Sequence, residues 1–187
     1  MSIILIKIDI ISNMYNKIDY IKFNRFILFH CNVCKSIKMD VKKEPIHGIK
    51  EIDDPFYRYQ MEQIDIQKHS KKIYIKNLDK IAKDIKIPDK SILLAFMTKN
   101  LSINMNVDKN NQVVISNKTD INLIKNSIYQ FIDTFILCKV CSLPELSYSI
   151  KNNNLHTDCS ACGNSATILT DKYKSTVKKF INCLKPS

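Results

Sequence analysis

Four cysteines in the C-terminal half have the residue type and the spacing of a metal site. They form two pairs, Cys138-x-x-Cys141 and Cys159-x-x-Cys162, and residues 142–158 separate the pairs. Two residues between paired thiolates let both sulfurs face one ion, and a spacer of this length can run out and back as a hairpin. The pattern predicts a zinc ribbon with all four cysteines as ligands. Such a site is closed, so the metal would hold the fold and do no chemistry.

The alternative for these cysteines is a pair of disulfides in a secreted domain. The first eleven residues are apolar but are interrupted by Lys7 and Asp9, and no small-residue cleavage site follows them. Seven cysteines, an odd number, also fit a reducing compartment better than an oxidised framework. Zinc is therefore the preferred interpretation.

A further pair, Cys31-x-x-Cys34, lies near the N-terminus, with His30 and His47 close in sequence. One pair without a clear partner pair is a weak metal signal. A second zinc site stays open, and two free cysteines are the simpler interpretation.

Composition limits the function classes that remain. A chain of 187 residues can hold one modest core and a small metal module. Its net charge of +11 is typical of proteins that meet RNA, ribosomes or acidic partners, although a plain solvated surface is the alternative. With Gly48 and Gly163 as its two glycines, the chain has no Walker A loop and no dinucleotide fingerprint. We expect no intrinsic catalysis, and without a long apolar run we expect a soluble protein.

The elements that must position the ribbon follow from hydrophobic periodicity and turn residues. They predict an α+β fold, in which a small mixed α/β domain is followed by the zinc ribbon and a C-terminal helix. Thr119 is the expected N-cap of the longest helix, which leads into Cys138, and Cys183 is expected to pack as a small apolar group. The predicted elements are a strand at 71–76, helices at 78–85 and 90–98, a hairpin of 103–107 and 112–116, the helix after Thr119, a ribbon hairpin of 146–150 and 155–158 with its turn at 151–154, a strand at 166–169 and a helix at 170–184.

Four segments are expected along the chain. Residues 1–53 form a flexible N-terminal extension, and residues 54–137 form the α+β domain. The zinc ribbon spans 138–170, and the C-terminal helix and tail span 171–187.

Several motifs, taken together, resemble the N-terminal domain of eukaryotic translation initiation factor 5. The beta subunit of initiation factor 2 shares that fold and ribbon, and the segments 93–96 and 108–115 resemble the beta subunit more closely. The FYRY segment and the terminal helix are similar to factor 5. The motifs are DPFYRYQM at 54–61, NL at 77–78 with IAK at 81–83, FI at 131–132, FILC-x-x-C-x-x-PE at 135–145, C-x-AC-G at 159–163 and FI at 180–181.

The resemblance implies that this chain activates a GTPase in another protein. In that family the arginine of the FYRY segment, here Arg58, acts on the GTPase of the complex of factor 2, GTP and initiator tRNA during start-codon selection, and a flexible tail would deliver it. Tyr57, Tyr59 and Lys72 are the implied partner-binding residues. The implied partners are the gamma subunit of factor 2, initiator tRNA, and the small ribosomal subunit with its RNA. A monomer in the cytoplasm, or in the host cytoplasm for a viral chain, without membrane contact is expected.

Two alternatives stay open. Arg58 could be structural, stacked between Tyr57 and Tyr59 or paired with Asp53 or Asp54. The whole chain could instead be a binding module without a GTPase-activating role, either a piece similar to the factor 2 beta subunit or a decoy that occupies the same ribosomal or initiator-complex surface.

Overall fold

The computed structural model of the chain describes residues 41–50, 52–116, 119–168 and 171–185. The lone cysteine pair and the first forty residues of the expected extension lie outside these ranges. None of the helices in the described ranges has the length and apolar character that crossing a membrane requires.

The described part begins with a short antiparallel ribbon. Strand β1 (Lys43–Pro45) pairs with β2 (Gln60–Glu62), and Ile46, directly after β1, is 4% exposed in the core. The sequence-based boundary of the flexible extension at residue 53 is therefore wrong for residues 43–46. This stretch is polar, so its hydrophobicity does not predict order. It is held by three residue pairs between β1 and β2 and by the burial of Ile46.

The central sheet has four antiparallel strands in the order β3-β4-β6-β5. Alternate residues of β4 and β6, such as Ile73 and Ile115, are buried on one face, which packs on the helices. The predicted strand at 71–76 and the predicted hairpin are present, whereas β3 was not expected. The strands are β3 (Ile66–His69), β4 (Lys72–Ile75), β5 (Met105–Val107) and β6 (Val113–Ser116).

Three helical segments cover the sheet. Helix α1 (Leu78–Asp84) and helix α2 (Lys90–Leu101) lie between β4 and β5, and helix α3 (Ile121–Phe131) follows β6. The N-cap of α3 is Asp120, whose side chain accepts a hydrogen bond from the amide of Asn122 at 3.0 Å. The predicted cap, Thr119, is wrong by one residue, because the carboxylate one position later takes the capping role.

The long helix does not continue as a regular α-helix to the first cysteine. At Ile132 it widens into a π-helix (Ile132–Ile136), and Leu137 then leaves it in an extended conformation. The amide of Leu137 still donates to the carbonyl oxygen of Ile132 at 3.0 Å, a bond that spans five residues. The π-helix delivers the chain to Cys138.

The predicted ribbon is a three-stranded antiparallel sheet of β7 (Leu146–Lys151), β8 (Asn154–Cys159) and β9 (Ser165–Thr167). Its hairpin turns through Asn152 and Asn153, both with positive φ, which is the conformation that two-residue hairpin turns need. A 3₁₀ turn (Asp171–Tyr173) and helix α4 (Lys174–Leu184) follow. Cys183 is exposed on α4, so its predicted packing in the core is wrong.

The core joins these parts through aromatic rings. Phe96 of α2, Phe131 of α3, Phe135 of the π-helix and Phe180 of α4 are all 0% exposed. Phe180 stacks on Phe135 with centroids 5.7 Å apart, and it packs against Tyr148 of the ribbon at 5.0 Å. The α+β fold with a four-cysteine ribbon and a C-terminal helix is confirmed.

The C-terminal helix depends on one ring for this packing. We expect Phe180→Ala to lower the free energy of unfolding by about 3–5 kcal/mol, because the change empties a fully buried aromatic site. Phe56→Ala is the matched control, because the ring of Phe56 is 90% exposed and its removal is expected to cost less than about 0.5 kcal/mol. Urea denaturation followed by circular dichroism measures both, and equal losses would contradict the packing role of Phe180.

Candidate metal centre and arginine loop

The four predicted metal ligands come together at the junction of the π-helix and the ribbon. The Sγ atoms of Cys138, Cys141, Cys159 and Cys162 all lie within 4.8 Å of one another, and all four cysteines are free. Four sulfurs about 2.3 Å from one tetrahedral ion are about 3.8 Å apart. The Sγ distances of 3.7 Å between Cys138 and Cys162 and 3.6 Å between Cys141 and Cys159 fit that geometry. The cluster could hold a metal ion, and its donor set and dimensions fit zinc.

The two halves of the cluster have the same backbone bonds. The amide of Ser142 donates to the carbonyl oxygen of Cys138 at 2.9 Å, and the amide of Gly163 donates to that of Cys159 at 2.8 Å. Ser142 and Gly163 both have positive φ, at 58° and 72°. Each CxxC pair therefore sits in a tight turn that ends in the left-handed region, which glycine adopts without strain and serine at a small cost.

The surroundings of the thiols favour a bound cation. Burial acts to raise the pKa of Cys138, but hydrogen bonds from the amides of Cys141 and Val140 outweigh it and lower that pKa to about 6. For Cys162 the amide of Asn164 acts to lower the pKa, while burial and the three neighbouring thiols raise it to about 12. Without a cation, four adjacent thiols cannot all ionise, whereas a metal ion stabilises all four thiolates together.

A second candidate site is the loop between β1 and β2, described at residues 46–50 and 52–59 and here called the arginine loop. The amide of Ile46 donates to the carbonyl oxygen of Tyr59 at 2.9 Å, which closes the loop at its base. The hydroxyl of Tyr57 donates to the carbonyl oxygen of Ile46 at 2.8 Å, which adds a second bond across the base of the loop. Burial, with the nearby Tyr59, raises the pKa of Tyr57 to about 12, so this hydroxyl remains a donor at neutral pH. The arginine is thus carried on a closed loop and not on the flexible tail that the sequence predicts.

The loop is also fastened to α3. The ring of His47 stacks on the ring of Tyr129 with centroids 4.5 Å apart, and the Tyr129 hydroxyl donates to Glu44 at 3.1 Å. The Nδ1 atom of His47 lies 2.7 Å from the carbonyl oxygen of Gly48 and donates to it. Within the described residues, His47 therefore supports the loop.

Arg58 lies next to the base of this loop, and its side chain is exposed. Its Nη2 donates to the hydroxyl of Tyr59 at 3.0 Å, and its guanidinium carbon is 5.1 Å from the centre of the Tyr59 ring. That hydrogen bond raises the pKa of Arg58, and the charge of Glu145 acts in the same direction. No salt bridge joins Arg58 to a carboxylate in the described ranges, and Asp54 accepts from the amide of Phe56 at 2.9 Å. Of the two structural alternatives, stacking is present on one side only.

The other implied binding residues have different surroundings. Tyr57 and Tyr59 are half-buried, with their rings edge to face at 5.3 Å, so both support the loop from within. Lys72 is exposed at the start of β4, where it pairs with His69 and Ser116. The structure shows no contact between Lys72 and the described residues of the arginine loop, so it does not bring these residues into one site.

The composition of the chain also sets Arg58 apart, independently of its motif. The chain has 29 basic residues, and Arg25 and Arg58 are its arginines. All the basic residues in the described ranges other than Arg58 are lysines. Unlike the lysines, Arg58 has a planar, permanently charged fork that can bind an anion through two bonds.

The architecture defines the class of protein as an α+β body that carries a four-cysteine ribbon and presents a single arginine on a loop. The family model for a domain found in initiation factors 2B and 5 matches residues 49–165, which is more than half of the chain. The chain therefore belongs to the translation initiation factor family of factor 5 and the factor 2 beta subunit.

Individual relatives agree with this assignment. The chain is 32% identical over 124 residues to eukaryotic translation initiation factor 5 of Caenorhabditis elegans, and the match covers 64% of this chain and 28% of that protein. It is 30% identical over 122 residues to the factor 5 of Dictyostelium discoideum, covering 61% and 30% of the two chains. A translation initiation factor 2 subunit beta of Haloarcula marismortui is 26% identical over 124 residues, covering 66% and 92%. The chain thus spans less than a third of the length of these factor 5 relatives.

Proposed function

We propose that this chain stimulates GTP hydrolysis by the GTPase of initiation factor 2, in its complex with GTP and initiator tRNA, during start-codon selection. Arg58 would enter the nucleotide site of the partner's gamma subunit, and the zinc-bound body would position the loop. The proposal rests on the exposed guanidinium of Arg58, which forms no salt bridge in the described ranges and lies beside the base of a closed loop.

The chemistry of phosphoryl transfer supports this role. Negative charge on the γ-phosphate oxygens is stabilised in the transition state by a guanidinium supplied from another chain, which in known cases accelerates hydrolysis by about 10³- to 10⁵-fold. Arginine suits the task because its fork stays charged and matches two phosphate oxygens. The chain has only two glycines and no phosphate-binding loop of its own, so the partner would supply the nucleotide.

The proposed setting is the cytoplasmic initiation complex, with this chain as a monomer. Besides the factor 2 gamma subunit, its proposed partners are initiator tRNA and the small ribosomal subunit with its RNA. A net charge of +11 would favour contact with RNA phosphates, and such contact weakens as salt rises. Zinc at the four-cysteine site, bound by Cys138, Cys141, Cys159 and Cys162, would hold the ribbon.

A second candidate function is a binding module that occupies the same surface without stimulating hydrolysis. One observation favours it: the matched region covers 92% of the Haloarcula marismortui beta subunit but only 28% of the Caenorhabditis elegans factor 5. On this hypothesis the chain would act as a beta-subunit-like piece or a decoy.

A single-turnover assay separates the two functions. Initiator complex is formed with radiolabelled GTP and small ribosomal subunits, the purified chain is added, and phosphate release and binding are measured in parallel. Under the first proposal the rate constant rises with chain concentration to a plateau. Stoichiometric binding without faster release would contradict it and favour the binding module, whereas absence of binding would contradict both.

A further inference from the structure

The arginine loop contacts the π-helix at a point where the chain has no side chain. Gly48 is buried, and a Cβ atom built on it would lie 2.7 Å from both the Cβ and the Oδ1 atoms of Asp133. Real Cβ atoms essentially never approach other heavy atoms closer than 3.0 Å. The backbone of the loop therefore approaches the π-helix as closely as it does because residue 48 is glycine. Its φ does not lie in the left-handed range, so the requirement is space and not backbone conformation.

Asp133 is itself held in place by a residue of the first cysteine pair. The ammonium group of Lys139, which lies between two of the cysteines, donates to the carbonyl oxygen of Asp133 and is 3.8 Å from its Oδ2 atom. Ile132 and Phe135, on either side of Asp133, are 0% exposed in the core. The π-helix is thus fixed by both the core and the first cysteine pair.

We propose that Gly48 is a positioning residue for Arg58, and that its contact with Asp133 sets where the arginine loop lies relative to the body. This inference rests on the proposed function. The fixed partner is the π-helix, because Ile132 and Phe135 are fully buried, whereas Ile49 and Phe56 of the loop are 68% and 90% exposed. A side chain at position 48 would therefore displace the loop and leave the helix in place.

Displacement of the loop would disturb the bonds that hold Arg58. The base bond between Ile46 and Tyr59 and the cross-tie from Tyr57 to Ile46 are both close in sequence to Gly48. Arg58 lies between the two tyrosines of these bonds. A shift of about 1 Å at a catalytic group can reduce a rate by about 100-fold, so a small displacement has a measurable effect.

The test is Gly48→Ala, read out by hydrogen exchange and by hydrolysis. We expect amide exchange in residues 46–59 to become about 10-fold faster or more, with exchange in α2 unchanged. The single-turnover rate constant should fall about 10- to 100-fold, with binding to the initiator complex retained. Ile49→Ala is the matched control, because its side chain is exposed and its loss should leave the exchange of the loop unchanged.

A rescue variant distinguishes displacement from general damage. Asp133→Gly removes all three atoms that a Cβ at position 48 would meet, so Gly48→Ala combined with Asp133→Gly should restore slow exchange in the loop. Unchanged exchange in Gly48→Ala, or failure of the double variant to restore it, would overturn the inference. If Gly48→Ala accelerates exchange while wild type does not stimulate GTP hydrolysis by the initiator complex, the positioning contact stands and the proposed GTPase activation fails.

Discussion

Alanine at position 58 is expected to reduce the stimulated rate constant of GTP hydrolysis by about 10³- to 10⁵-fold, to the rate without the factor. The side chain of Arg58 is exposed and makes its one described hydrogen bond to Tyr59, so its removal should leave the fold and the metal content unchanged. The measurement is single-turnover phosphate release from the pre-formed initiator complex, together with zinc content and thermal unfolding of each variant.

Arg58→Lys sharpens the test, because it keeps the charge and removes the fork. An ammonium group is a point charge that cannot bind two phosphate oxygens in one plane, so we expect the lysine variant to lose stimulation as well. Lys83→Ala, which removes one exposed positive charge from α1, is the control and should stimulate normally. Full stimulation by Arg58→Ala would remove this residue from the mechanism.

Loss of the metal centre is expected to have the largest effect on stability. In isolated zinc-finger peptides a structural zinc ion contributes about 10–16 kcal/mol, and here the ribbon places the fully buried Leu155 and the ring of Tyr148 against the main core. The hydroxyl of Tyr148 also donates to the carbonyl oxygen of Phe135 at 2.7 Å. Cys138→Ser should abolish metal binding, unfold the ribbon and release part of the core.

Metal analysis and circular dichroism measure this prediction. We expect one zinc ion per wild-type chain at the four-cysteine site and none there in Cys138→Ser. Cys183→Ser is the matched control, because Cys183 is exposed on α4 and lies outside the cluster, so zinc content and unfolding should not change. Equal stability of Cys138→Ser and wild type, or of wild type before and after chelation, would show that the ribbon folds without metal.

The metal centre could be predicted from the sequence because its information is local. Each CxxC pair makes its own tight turn, and the hairpin between the pairs has a sequence signal at Asn152 and Asn153. The same holds for helices α1 and α2, which begin after turn residues and carry apolar residues at helical spacing. At such positions the short-range preferences agree with the final fold.

What the sequence did not reveal depends on contacts between distant residues. Strand β3 has the polar sequence IQKH and forms because it pairs with β4, and β1 forms because it pairs with β2. Asn77 stands at the N-cap of α1, yet its side chain makes no capping bond and instead accepts from the amide of Asp65 at 2.9 Å. Hydrophobic periodicity along the chain carries no information about these long-range partners.

The candidate site likewise has features that local sequence predicts and features that depend on distant residues. Arg58 could be chosen from its motif, but the attachment of its loop to Tyr129 and Asp133 could not, because those residues follow it by more than 70 positions. Gly48 was noted only as one of two glycines. Its role depends on Asp133, a residue that no local pattern connects to it.

The π-helix at Ile132–Ile136 sets the direction in which the chain leaves the long helix toward the first cysteine. Each α-helical residue turns the chain by about 100°, so winding the same residues as an ordinary α-helix would rotate everything after them by about that angle. The upstream apolar stripe would keep its orientation while the cysteine pair would turn away from its partner pair. Substitutions that preserve size at these five positions should therefore be tolerated far better than a one-residue insertion.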